Sequence, residues 1–196
     1  MSQPIKNAAE HIASLKDGRS VYLDGKKVDD VTTHPAFANA VQSAANLYEF
    51  QSRPENAEMM TFESPKTGRR VNRAWQMPTT YQELVTRRKA LVAWAEQSGG
   101  FMGRSPDHLA SAVTGQLMGL KMFEENDPKR AAAYWNYYET ARDEDRYLTY
   151  VIINPQVDRA KAASELQDDP MMKIVDEDSE GVTVRGAKML GTSSIM

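Results

Sequence analysis

Apolar residues recur at helical spacing through Ile5, Ala8, Ala9, Ile12 and Leu15, and Asp17-Gly18 stops the run. That spacing predicts a first helix opening after Pro4. Two short runs follow, Arg19–Leu23 and Lys26–Val31, joined by Asp24-Gly25. An Asp-Gly pair between such runs predicts a hairpin, because both residues tolerate positive φ. Thr32 or Thr33 is then a candidate cap for a helix with Pro35 in its first turn and Phe37, Val41, Ala44, Ala45, Tyr48 and Phe50 on its apolar side, ending near Gln51.

Residues 52–78 carry Pro54, Pro65, Gly68 and Pro78, little periodicity and one apolar pair, Met59-Met60, so they read as a long loop, of the kind that is often functional or packs over a neighbouring chain. Thr80-x-x-Glu83 is a capping box opening a helix through Leu84, Arg87, Leu91, Trp94 and Ala95, closed by Gly99-Gly100. Ser105-Pro106-Asp107 starts the next helix, with Leu109, Val113, Leu117, Leu120, Met122 and Phe123 as its apolar positions. Asp127-Pro128 starts another, through Ala132, Trp135, Tyr138 and Ala141 to about Arg146.

The texture changes at Tyr147. Tyr147–Ile153 is β-branched and aromatic and predicts a strand, broken by Asn154-Pro155. A short helix is expected over Ala160–Leu166, and a second hairpin from Lys173–Glu177 and Val182–Leu190 around the polar turn at Ser179–Gly181. The pattern therefore gives an α+β chain with a mainly helical domain over 1–146 and a strand-rich one over 147–196. Three short strands neither cover both faces of a sheet nor close a barrel. The expectation is that the strand edges pair with another subunit or, preferably, that the chain is the front part of a longer protein.

Charge narrows the partners. With 24 Lys+Arg against 27 Asp+Glu, the net charge is -3, which removes the basic surface that nucleic acid or an anionic membrane favours. No apolar run approaches a membrane span, and the first fifteen residues, which include Glu10, lack the apolar stretch of a secretory signal. A cytoplasmic protein without nucleic-acid or membrane partners is expected. Zero cysteines exclude a disulfide framework, a thiolate metal site and a cysteine nucleophile from this chain, and three scattered histidines make a histidine-rich metal site improbable.

Three stretches carry candidate chemistry. In Gly99–His108, three glycines feed a helix mouth at Ser105-Pro106, where Arg104 suits a carboxylate, phosphate or phenolate. His108, one turn inside, is a candidate acid or base. The same letters also describe a well-capped helix after a glycine stop, with Arg104 solvated. In Tyr150–Arg159, an apolar run exits into Asn154-Pro155 and the polar cluster Gln156, Asp158 and Arg159, a place where ligands commonly sit but also where surface charges do. In Val184–Ser193, Gly186, Gly191 and Thr192 allow a flat ring to approach the backbone, or mark a bulged edge strand. The pairs Arg69-Arg70 and Arg87-Arg88 read as solvated faces or subunit contacts.

Taken in order, Asp17-Gly-Arg-x-Val-Tyr22, Asp30-Val-Thr-x-His-Pro-Ala-Phe37, Leu47-Tyr48, Arg87-Arg88, Gly103-Arg-Ser-Pro-Asp107, Asn154-Pro-Gln-Val-Asp-Arg159 and Val184-Arg-Gly-Ala-Lys-Met-Leu190 resemble the 4-hydroxyphenylacetate 3-hydroxylase family, the oxygenase component of two-component flavin-dependent monooxygenases. The resemblance runs from near residue 17 to the end. It implies an acyl-CoA-dehydrogenase-like architecture: a helical domain, a β-barrel domain entered near Tyr147 and cut short here, and a C-terminal helical bundle that this chain lacks.

The resemblance further implies an aromatic hydroxylase that uses reduced FAD and O₂ to insert one oxygen ortho to a phenol hydroxyl. Its partners would be a phenolic substrate and a separate NAD(P)H:flavin reductase, and the full-length form would be a homo-oligomer. By similarity, Arg104, His108 and Tyr150 address substrate, while Tyr150, Val151, Ile152, Gln156, Val157, Asp158, Arg159 and Thr192 line the flavin. Aryl-acetate hydroxylases of the family carry Tyr at His108 and His at Tyr150, so the implied substrate is a phenol and not specifically 4-hydroxyphenylacetate. A related branch, the 4-hydroxybutyryl-CoA dehydratases, uses an iron–sulfur cluster, against which the missing cysteines argue. The competing reading is a non-catalytic assembly module of the same lineage, and the chain by itself is expected to have little activity.

Overall fold

The computed structural model describes residues 5–155, 160, 170–179 and 181–196. Its elements arise where local signals are self-sufficient. Helix α1 (Ala8–Ser14) opens on a capping box: the Asn7 side chain accepts from the Glu10 N–H, and the Glu10 carboxylate accepts from the Asn7 N–H. Two orphan donors are thereby satisfied, and the helix starts at Ala8 instead of directly after Pro4. The hairpin β1 (Val21–Leu23) and β2 (Lys26–Val28) turns on Asp24 and Gly25, both at positive φ (49° and 74°).

The next helix, α2 (Ala38–Ser52), begins later than its threonines suggest. The Asp30 carboxylate captures the N–H and hydroxyl of Thr32, and residues 31–37 stay in turns. Phe37 then occupies the cap position with no side-chain bond.

The expected loop over 52–78 is largely structured. It holds α3 (Ala57–Met60), the antiparallel pair β3 (Thr61–Glu63) and β4 (Arg70–Asn72), and a 3-10 turn at Arg73–Trp75. Periodicity misses it because its interior is polar and tied by side chains. The Arg73 guanidinium, 7% exposed, donates to the carbonyls of Glu58, Met59 and Thr61 and to Gln76 Oε1. Arg70 donates to Thr61 Oγ1 at 2.7 Å and to the Ala57 carbonyl at 3.0 Å. It is thus not the solvated charge its sequence pair suggests.

The Thr80–Glu83 capping box forms as expected and opens α4 (Tyr81–Gln97), which ends at Gly99 and Gly100 with φ of 57° and 79°. The following apolar run is two helices, α5 (Pro106–Leu117) and α6 (Leu120–Asn126), because the chain turns at Gly119. Asp127 caps α7 (Pro128–Asp143) by accepting from the N–H groups of Lys129 and Arg130.

Contacts divide the chain into two units, one running through Leu148 and including Ile195–Met196, the other Thr149–Ser194. In the first, Trp75, Ala110, Leu117, Tyr138 and Ala141 form one core cluster and Leu47, Met60, Ala90 and Trp94 another. Tyr138 donates its hydroxyl to the Trp75 carbonyl at 2.6 Å, and Trp94 Nε1 donates to the Leu47 carbonyl at 3.0 Å, so both clusters satisfy their polar tips. A third cluster, around Leu15, Val28, Val31 and Val41, receives Ile195 and Met196.

The second unit contains the hairpin β5 (Lys173–Glu177) and β6 (Val182–Arg185), with a register shift between Ile174 and Asp176. The expected strand over Tyr147–Ile153 does not form. Among the described residues only Ile153 pairs, in a single bridge to Met189. β-Branched propensity makes a strand only where a neighbour completes the ladder. The helix expected over Ala160–Leu166 lies, apart from Ala160, outside the described residues.

Candidate active site

Arg104 stands between the glycine stop of α4 and the mouth of α5. The Ser105 backbone holds the N-cap position, but its hydroxyl donates to the Asp107 carboxylate instead of accepting from the helix N–H groups. Pro106 occupies the first turn and is buried, which fixes the direction in which α5 leaves the loop. Arg104 is half-buried and its carbonyl accepts from the Tyr147 hydroxyl at 2.5 Å, while His108, one turn on, is exposed.

The α5 entrance is braced from α4 by Arg87. Its Nη2 donates to the Ala74 carbonyl at 2.8 Å and to Ser111 Oγ at 2.7 Å. Burial pushes this guanidinium down from its ordinary pKa, and the Asp107 carboxylate pushes it back up. Arg87 is therefore a structural tie, not a solvated charge, whereas Arg88 is exposed. Beside it an apolar cavity of about 400 Å³ is lined by Thr79, Tyr81, Leu84, Arg87, Thr114 and Met118, among others, without Arg104 or His108.

In the second unit Tyr150 is half-buried and Val151, Ile152 and Thr192 are exposed. Gly191 brings Val151 and Thr192 into one neighbourhood: a Cβ at Gly191 would stand 2.7 Å from Val151 Cγ1. Gly186, at φ 130°, similarly backs onto Met171, whose carbonyl oxygen would lie 2.3 Å from an added Cβ. Both glycines thus admit close packing of the chain on itself; neither leaves a slot for a ring. Lys188 Nζ donates to Asn154 Oδ1 at 2.6 Å, tying the residue before Pro155 to the segment after β6. Gln156, Val157, Asp158 and Arg159 lie outside the described residues.

Sequence reasoning missed a buried polar node in the first unit. Gln51 Nε2 donates to Asp145 Oδ2 at 2.5 Å and to the Lys6 carbonyl at 3.1 Å, and its Oε1 accepts from Asn72 Nδ2. Above it His11 stacks on Tyr48 and then on Tyr147, with centroid separations of 4.3 Å and 6.1 Å. Neither ring nitrogen of His11 has a hydrogen-bond partner among the described residues. Burial and the Lys6 charge hold His11 down at about 4, and burial raises Asp145 to about 6. Gln51 and Asn72 bear no local motif; only the α2 helical phase, which puts Gln51 with Leu47 and Tyr48, hinted at its burial.

Residues 7–196 match the family model described as 4-hydroxyphenylacetate 3-hydroxylase N terminal. The chain belongs to that family. It is 43% identical over 194 residues to the 4-hydroxyphenylacetate 3-monooxygenase oxygenase component of a Geobacillus species, covering 98% of this chain and 39% of the relative. It is 37% identical to the oxygenase component of 4-nitrophenol 2-monooxygenase from a Rhodococcus species, covering 94% of this chain and 35% of that protein.

Among solved structures, the oxygenase component of 4-hydroxyphenylacetate 3-monooxygenase complexed with FAD and 4-hydroxyphenylacetate matches with a TM-score of 0.84 at 35% identity, over 97% of this chain and 39% of that one. The chain spans about two-fifths of the length of the relatives it matches. The fold is accordingly helix-rich with small two-stranded sheets, and no closed barrel is present among the described residues. No helix of the described residues is long and apolar enough to cross a membrane.

Proposed function

We propose that this chain supplies the helical domain and the first barrel strands of a flavin-dependent phenol hydroxylase with an acyl-CoA-dehydrogenase-like architecture. One observation carries the reading: nearly the whole chain superposes on an oxygenase solved with FAD and a phenol. Reduced FAD and O₂ supply the oxygen atom, reductant reaching the flavin from a separate NAD(P)H-dependent reductase. A homo-oligomer is the expected assembly.

The chain's own residues bind and orient. Arg104 at the α5 mouth offers a charge-assisted fork to a phenolate or a carboxylate. His108, exposed in the first turn of α5, offers a second polar group toward that ligand. In the second unit, Tyr150 has a hydroxyl able to donate or accept a hydrogen bond. The exposed apolar strip of Val151 and Ile152 with the Thr192 hydroxyl suits the face and edge of an isoalloxazine, and the family resemblance adds Gln156, Val157, Asp158 and Arg159 as flavin contacts. His108 and Tyr150 exchange the ring types usual in aryl-acetate hydroxylases, and one relative is named for 4-nitrophenol, so the substrate class is a phenol more broadly.

The test is turnover by the protein as its gene encodes it, supplied with FAD, NADH, a flavin reductase and a panel of para-substituted phenols. A catechol product is expected, with Arg104→Ala raising the phenol KM at least about tenfold. No catechol from any phenol would remove the assignment.

The exposed apolar positions Ile174, Val175, Val182 and Val184 favour a second reading, an assembly module. Saturable binding of reduced FAD, weakened by Arg159→Ala, would count against it.

A further inference from the structure

Tyr147 joins two parts of the first unit that lie far apart in sequence. On one side is a well-held post. Asp145 sits at φ 47°, its carboxylate accepting from Gln51 Nε2 at 2.5 Å and its carbonyl from the Tyr48 hydroxyl at 3.4 Å. The Arg146 N–H donates to the Ala141 carbonyl at 2.9 Å, and the Tyr147 ring lies over His11, with 28° between the planes. On the other side is the segment of Gly99, Gly100 and Gly103, around the last two of which an added Cβ would meet nothing within 4 Å. The Tyr147 hydroxyl reaches across 43 residues of sequence to the Arg104 carbonyl.

We infer that Tyr147 is a positioning residue for Arg104: its hydroxyl fixes the Arg104 peptide so that the guanidinium at the α5 mouth is set for the oxyanion of a phenolic ligand. The inference rests on the assignment of Arg104 to substrate made above. The physical reason is preorganisation. A side chain carried on a glycine-rich loop binds with an affinity reduced by the fraction of time its loop is in register, and one hydrogen bond at its carbonyl raises that fraction. The hydroxyl acts on binding and leaves the reacting atoms alone, so the effect falls on KM.

Tyr147→Phe keeps the ring stack on His11 and deletes only the hydroxyl. In the protein as its gene encodes it, with reduced FAD and a phenol it turns over, this variant is expected to raise KM about three- to tenfold with kcat within about twofold, the range a single lost hydrogen bond spans. Combined with Arg104→Ala, it is expected to add nothing to the effect of Arg104→Ala alone.

A readout independent of turnover is hydrogen exchange. The amides of Gly103–Ser105 exchange faster in Tyr147→Phe while those of α7 keep their rates, as a loop released from an intact post requires. Unchanged KM, full additivity with Arg104→Ala, or unchanged exchange at Gly103–Ser105 overturns the inference and leaves the hydroxylase reading standing. If Arg104→Ala itself leaves KM untouched, the substrate assignment of Arg104 fails and the inference falls with it.

Discussion

His11 lies nearly flat on Tyr48, with ring centroids 4.3 Å apart and 12° between the planes, and only 1% of its surface is exposed. Lys6 Nζ stands 5.2 Å from the centroid of the same tyrosine ring, so an imidazolium here would face a cation as well as lose its water. Burial, with Lys6, holds His11 near 4 instead of 6.5, while burial raises Asp145 from 3.8 to about 6 against the Gln51 hydrogen bond and the Lys6 charge. These two groups act on stability with opposite sign. The unfolded chain takes up a His11 proton that the folded chain refuses, so this contribution grows as pH rises from about 4 to 6.5. The folded chain keeps an Asp145 proton that the unfolded chain sheds, so this contribution is complete below about 4 and is lost as pH rises to about 6.

The pair is therefore expected to cancel in the natural protein and to separate on mutation. Asp145→Asn leaves the histidine alone, and urea stability rises between pH 4 and 6.5, by on the order of 3 kcal/mol. His11→Phe leaves the aspartate alone, and stability falls over the same window. Urea midpoints at four pH values across it decide the matter: parallel profiles for all three proteins would show that neither group titrates as described.

Arg87 sets the α5 entrance through two acceptors at 2.7–2.8 Å on different segments, Ser111 and Ala74. Both bonds come from one terminal nitrogen, Nη2, which the shorter side chain of lysine does not carry to the same point. Arg87→Lys is expected to cost about 1–3 kcal/mol, read as a lower melting temperature, and, on the proposed assignment of Arg104 and His108 to substrate, to raise the phenol KM. A variant that melts like the parent would mean the two bonds contribute little.

Gly186 adopts φ 130° with the Met171 carbonyl directly behind it. Gly186→Ala meets both a backbone conformation closed to L side chains and a backbone atom that cannot swing away. Loosening should stay local: amides of β5 and β6 lose protection in hydrogen exchange, by about tenfold or more, while those of α4 and α7 keep theirs. Equal loss in both units would show that Thr149–Ser194 does not open by itself.

The parts of this fold legible in sequence are those whose determinants sit within four residues of each other. Thr80 and Glu83 close their box, Asp24-Gly25 turns its hairpin, and Asp127 caps α7, each from adjacent chemistry. Thr32 misled because Asp30, two residues back, offers its N–H and hydroxyl a better acceptor than a helix would. Residues 57–76 were illegible because Arg70, Arg73 and Asn72 are tied, the last two in the interior, through partners that no spacing rule encodes. Tyr147–Ile153 has strand composition, yet composition supplies no neighbouring strand. Of the candidate site, the glycine stop and the helix mouth beside Arg104 were legible from the glycines and Ser-Pro-Asp, whereas the tie from Tyr147 joins positions 43 residues apart and leaves no local trace.

Arg73 gathers three main-chain carbonyls, two of them from α3, onto one guanidinium. Burial, and next the Arg70 charge, push this guanidinium down from its ordinary value, but a guanidinium starts from well above the value of an amine. This corner of the molecule thereby withstands more alkali than an amine would allow: a lysine in the same dry place would discharge earlier in basic solution and drop its carbonyls, turning a fixed joint into a releasable one.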